Sequence, residues 1–170
     1  MSAINKINKL SQSDFIKVFA NIFESTNWIA VELYKKKPFN SFEGLSSKIL
    51  AIFESTTKEN QLKILNAHPD LADKTKIRSL TTDSQKEQSN AGLDQCSEGE
   101  FNEFRNLNDE YKKKFGFPFI LAVKGRTKIE ILNNFRQRVS SDANTEFNQT
   151  IKQVKQIASL RLKELNKKNI

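Results

Sequence analysis

Apolar residues recur at helical spacing along nearly the whole chain, and this periodicity limits the possible folds more than any other feature. The clearest case is 142 to 166, where Phe147, Ile151, Val154, Ala158, Leu162 and Leu165 form one stripe, the pattern of a helix with one face in a core. Upstream, Ser13 is placed to cap a helix carrying Phe15, Val18, Phe19, Ile22 and Phe23. Trp28, Val31 and Leu33 continue in a second short helix that ends before Pro38, and Ser41 opens a third with Leu45, Ile49, Ile52 and Phe53 on one face. Residues 58 to 66 predict a short helix that stops at the His68-Pro69 corner. The stretch 73 to 83 is a polar loop, and helices resume over 84 to 95, 97 to 114 and 127 to 139. No internal repeat and no linker rich in Gly, Pro or Ser divides the 170 residues, a length that suits one domain with a substantial core.

One segment breaks the pattern. Phe115-Gly116-Phe117-Pro118-Phe119-Ile120-Leu121-Ala122-Val123-Lys124-Gly125-Arg126 is continuously apolar in its middle and punctuated by Gly and Pro. Its β-branched and aromatic residues suit a buried strand, but no second segment of similar quality is present to pair with it. Two readings stand: an extended, buried segment whose backbone N–H and C=O groups hold a polar ligand, or a connector that fills the core.

Composition narrows the function classes. The longest apolar run, Phe117 to Val123, is seven residues, far below the ~20 that cross a bilayer, and the N-terminus carries no long apolar run of the secretory type. A single cysteine, Cys96, forms no internal disulfide, and with one histidine it makes no metal site; a reducing, cytoplasmic setting fits. The net charge of +8 comes mostly from lysines scattered along amphipathic helices, with six arginines spread from Arg78 to Arg161. No RNA-binding aromatic signature or zinc-finger spacing accompanies them, so a field that draws in a small anion accounts for the charge better than nucleic acid or membrane binding does.

Against this background a few polar residues are informative by position. His68 is the only histidine, the one side chain that gives and takes a proton near neutrality, and Pro69 pushes it off the helical conformation. Arg161 falls within the stripe of Val154, Ala158 and Leu165, so its guanidinium faces inward and needs an acceptor: either an internal acid such as Glu87 or Asp70, or a planar anionic or urea-like ligand. Ser84-Gln85-Lys86-Glu87 fits a capping box, which competes with any use of Glu87 on a ligand. Asp70 either orients His68 or caps the following turn. Cys96 reads as a small buried residue.

Taken together, these residues resemble a known family, the 2-oxo-4-hydroxy-4-carboxy-5-ureidoimidazoline (OHCU) decarboxylases of urate breakdown. The matching motifs are His68-Pro69-Asp70-Leu71-Ala72, Ser84-Gln85-Lys86-Glu87-Gln88 with Ala91-Gly92-Leu93, Tyr111, Lys114 to Ile120, Lys124-Gly125-Arg126, and Ile157-Ala158-Ser159-Leu160-Arg161-Leu162, in the family's order. The resemblance implies an all-α, single-domain, multi-helix bundle over 1–170 with the apolar segment near 115–125 lining its pocket, a homodimer, and no metal or organic cofactor. It implies that His68 is the catalytic acid/base, that Glu87 and Arg161 hold and polarise a small anionic ureidoimidazoline, and that Pro69, Ser84, Gln85, Lys86, Gln88, Phe119, Ile120, Leu121, Ala122 and Val123 complete the pocket wall. The expected product is (S)-allantoin. The C-terminus lacks a peroxisomal Ser-Lys-Leu, which points to the cytoplasm. The competing reading is a helical binding or scaffold module that has lost the reaction; the presence of His68, Glu87 and Arg161 together argues for the enzyme.

Overall fold

The structure, a computed structural model, describes residues 2–168. Asn169 and Ile170, part of the C-terminal sequence read above for a peroxisomal address, lie outside the described residues. Among the described residues the regular elements are α1 (Ala3–Lys9), α2 (Gln12–Phe19), α3 (Asn27–Tyr34), α4 (Phe42–Ser55), α5 (Lys58–Asn66), a 3-10 turn (Ile77–Ser79), α6 (Thr82–Asn90), α7 (Glu98–Phe115), α8 (Lys128–Arg138) and α9 (Ala143–Lys167), with no strand. They form two compact units, one of the residues up to Ala67 together with those from Lys155 onward, the other His68–Val154.

In the first unit α3 packs against both α2 and α4. Ser11, rather than Ser13, caps α2, accepting the Asp14 amide at 3.1 Å. Ser41 caps α4 as expected, through the Gly44 amide. Helix α3 buries Ile29, Ala30 and Leu33 and leaves Trp28 37% exposed. Phe15 meets Phe19 and Phe39, and Phe23 meets Phe53. Helix α1, which the apolar spacing does not announce, uses Asn8 to grip both the carbonyl and the amide of Phe39 at 2.8 Å each.

The second unit opens with the His68 loop. Helix α6 starts earlier than the S-x-x-E pattern suggests: its N-cap is Thr81, whose hydroxyl accepts the Ser84 amide at 3.3 Å. Ser84 is therefore the third helical residue, and the Ser84/Glu87 capping box does not form. The helix also stops at Asn90 rather than 95, because Gly92 takes a φ of +76° and closes a Schellman motif, with Leu93 N–H on the Gln88 carbonyl and Gly92 N–H on that of Ser89. Genuine capping boxes begin α7 (Ser97, Glu100) and α8 (Thr127, Glu130). Gly116, at φ +80°, ends α7, and the following residues 117 to 123 are buried and non-helical with no strand partner among the described residues.

Helix α9 begins in the second unit and ends in the first. Its buried face runs Glu146, Thr150, Gln153, Val154, Ile157, Ala158, Arg161, Leu162. The stripe read from apolar spacing is therefore offset: Phe147, Ile151 and Leu165 are only half-buried, and four polar side chains take inward positions.

Candidate functional site

His68 follows the end of α5 at a bend and is 9% exposed. The chain turns sharply after it, with Ala72 at φ +53°, a left-handed conformation that costs an alanine roughly 1–2 kcal/mol and persists only where its surroundings hold it. Three side chains do so. Gln88 on α6 accepts the Ala72 amide at 3.0 Å and donates to the Asp70 carbonyl at 3.1 Å, so both ends of its amide are committed to this loop. Asn108 on α7 donates to the Leu71 carbonyl at 3.0 Å. One turn further, Lys112 pairs with the Asp70 carboxylate at 2.7 Å. Asp70 thus has a lysine partner, which neither of its expected roles foresaw.

On α6, Ser84 and Gln88 are buried and Glu87 half-buried, while Gln85 and Lys86 occupy the exposed face. The spacing i, i+3, i+4 explains the split, since it is the helical repeat that puts 84, 87 and 88 on one side. Pro69 is half-buried. Helix α7 ties the His68 loop to the apolar segment within this unit: Asn108 holds Leu71, and Tyr111, three residues on and so on the same face, packs its ring edge-on against Phe119 at 5.5 Å.

Phe119, Ile120, Leu121, Ala122 and Val123 are all buried. Their backbone is gripped from α8 and α9: Arg138 Nη1 donates to the Ile120 carbonyl at 2.6 Å and Gln153 Oε1 accepts the Ala122 amide at 2.9 Å. Arg138 is itself held by Glu146, which also accepts the Tyr111 hydroxyl at 2.5 Å. Burial, reinforced by that carboxylate, drives the Tyr111 phenol well above its ordinary range, so it stays a donor.

Arg161 lies in the first unit. Its Nη1 donates to the Glu24 carboxylate at 2.9 Å and to the Asn21 carbonyl at 2.8 Å, and Arg161 and Glu24 are 7% and 2% exposed. Glu24 is thus an internal acid that pairs with Arg161. Cys96 is half-buried rather than buried; burial and the neighbouring Glu100 push its thiol up, away from nucleophilic use. Glu24, Asn108, Arg138, Glu146 and Gln153 escaped the reading of the sequence. Arg138 carries the same signal that revealed Arg161, a guanidinium three residues beyond the buried Phe135.

The sequence profile described as OHCU decarboxylase matches residues 8–163. The chain belongs to the OHCU decarboxylase family. It is 34% identical over 162 residues to the 2-oxo-4-hydroxy-4-carboxy-5-ureidoimidazoline decarboxylase of Halalkalicoccus jeotgali, covering 95% of this chain and 90% of that one. It is 38% identical over 165 residues to the uric acid degradation bifunctional protein of Bacillus sp. strain TB-90, covering 97% of this chain but only 32% of that protein, so the chain spans about a third of that relative's length. Among solved structures, an (S)-allantoin synthase superposes with a TM-score of 0.77 at 25% identity, over 97% of this chain and 54% of the other. The all-helical architecture expected of an OHCU decarboxylase is the one observed.

Proposed function

We propose that this chain, acting as one functional domain and as a homodimer, decarboxylates 2-oxo-4-hydroxy-4-carboxy-5-ureidoimidazoline to (S)-allantoin in urate catabolism. The observation that carries the reading is the family match over residues 8–163. The polar residues around the proposed catalytic histidine are consistent with it: a buried imidazole on a strained loop that Gln88 and Asn108 hold in place.

The chemistry follows from the substrate. Its carboxylate sits on a ring carbon that also bears a hydroxyl, beside a C=N carbon carrying the ureido group. When the bond to the carboxylate breaks, CO2 leaves and the electron pair moves into the adjacent C=N, whose nitrogen takes a proton. The hydroxyl then gives up its proton to become a carbonyl, and the former imine carbon is protonated from one face. His68 serves as acid/base at the hydroxyl and carboxylate end, and Glu87 and Arg161 orient the ureido and ring groups. Pro69, Ser84, Gln85, Lys86, Gln88 and residues 119 to 123 complete the proposed wall.

The test generates the unstable ureidoimidazoline from urate in situ and follows optically active allantoin by circular dichroism. Wild-type protein is expected to accelerate formation of the (S) product, and His68→Asn to reduce the rate by about 100-fold or more with an unchanged far-ultraviolet spectrum. Racemic product at the uncatalysed rate from wild-type protein would remove the assignment; full activity in His68→Asn would remove the histidine from the mechanism.

A further inference from the structure

The run from Phe119 to Val123 has no strand partner among the described residues, yet three features of it are held by side chains of α8 and α9. Arg138 lays its guanidinium over the Phe119 ring, 4.5 Å from the centroid, and the same ring stacks on Phe135 at 3.9 Å. The Ile120 carbonyl accepts from Arg138 at 2.6 Å, and the Ala122 amide donates to Gln153 at 2.9 Å. Behind these, Glu146 Oε1 accepts from Arg138 Nε at 2.7 Å and from the Tyr111 hydroxyl, and Thr150 Oγ1 accepts from Arg138 Nη2 at 3.1 Å. All five polar members are buried, Tyr111 and Thr150 completely.

Core stability alone does not account for this arrangement, because a buried Arg–Glu pair is often no better than well-packed apolar side chains of the same volume. Apolar side chains cannot, however, grip a backbone carbonyl and a backbone amide. Engaging the Ile120 carbonyl and the Ala122 amide from α8 and α9 fixes the backbone on both sides of Leu121. We infer that Arg138 and Gln153 are positioning residues that set the backbone of 119–123 for substrate, with Glu146, Tyr111 and Thr150 fixing the guanidinium. The inference rests on the decarboxylase reading, in which this segment is pocket wall.

The experiment measures kcat and KM on in situ ureidoimidazoline for Gln153→Met, Gln153→Glu and Arg138→Lys, with thermal melts alongside. Gln153→Met keeps the volume and loses the acceptor, so KM is expected to rise about tenfold with kcat within about threefold of wild type, the pattern of lost uniform binding. Gln153→Glu retains an acceptor in either protonation state and is expected to bring KM back to within about threefold of wild type. Arg138→Lys keeps a charge opposite Glu146 but loses the planar fork, and KM is expected to rise about tenfold in a folded protein. Values of KM within about twofold of wild type in both Gln153→Met and Arg138→Lys, or a Gln153→Glu variant no better than Gln153→Met, would overturn the positioning role while leaving the decarboxylase standing. A wild-type protein that does not accelerate the reaction would overturn the decarboxylase reading and this inference with it.

Discussion

Arg161 shows how much a single inward-facing charge asks of its surroundings. Its helical register places it on the buried side of α9, and burial of a guanidinium is tolerable only with acceptors at hand; Glu24 and the Asn21 carbonyl supply them. That pair exposes two roles to separate test. Arg161→Lys keeps the charge beside Glu24 but not the bidentate fork, so kcat/KM should fall by about 100-fold while the melting temperature changes little; near-normal turnover would make Arg161 purely structural. Glu24→Gln removes the charge of the carboxylate in this buried pair and should destabilise the fold by about 3–5 kcal/mol, measured by urea unfolding. A loss below about 1 kcal/mol would mean that Glu24 contributes no more than a surface ion pair. The sequence reveals that Arg161 points inward because the periodicity is local. It does not reveal Glu24, because that partner stands 137 residues away.

At the scale of elements, helix boundaries followed cap chemistry more closely than apolar spacing did. Helix α6 is the instructive case: S-x-x-E at 84 to 87 matches a capping box, yet Thr81 is the N-cap and Gly92 closes the end. Two candidate caps three residues apart differ by less than one helical turn, and packing of the Ser84 and Gln88 face decides between them. The capping box of α7 yields a prediction about pH. Glu100 is held below the usual carboxylate range by the Ser97 amide and then by the Lys128 ammonium. A carboxyl with a lowered native pKa contributes stability that is present above its unfolded value of about 4.3 and is lost as pH falls through the native one. Glutamine still satisfies the box, so Glu100→Gln isolates the charge: its melting temperature should lie below wild type at pH 7 and converge on it below about pH 3. A gap that stays constant with pH would show that the charge is not what stabilises this cap.

At the scale of the whole molecule, the described residues form two units, with residues of α9 in each, and no helix among them is long and apolar enough to cross a membrane. The proposed homodimer predicts a sedimentation-equilibrium mass of twice the 19.5 kDa chain, and a monomeric mass at micromolar concentration would remove it. The sequence alone was enough to determine the helical class, the break in helical pattern after Phe115, the off-helix corner at His68-Pro69 and the family, because each depends on local spacing or on motifs that survive in order along the chain. Tertiary structure alone decided that Arg161 answers to Glu24, that Gln88 spends its amide on the Asp70 to Ala72 loop, and that Arg138 and Gln153 hold the 119–123 backbone. The physical reason is that a hydrogen bond needs donor and acceptor within about 3 Å, and for residues far apart along the chain only the packing of helices sets that distance.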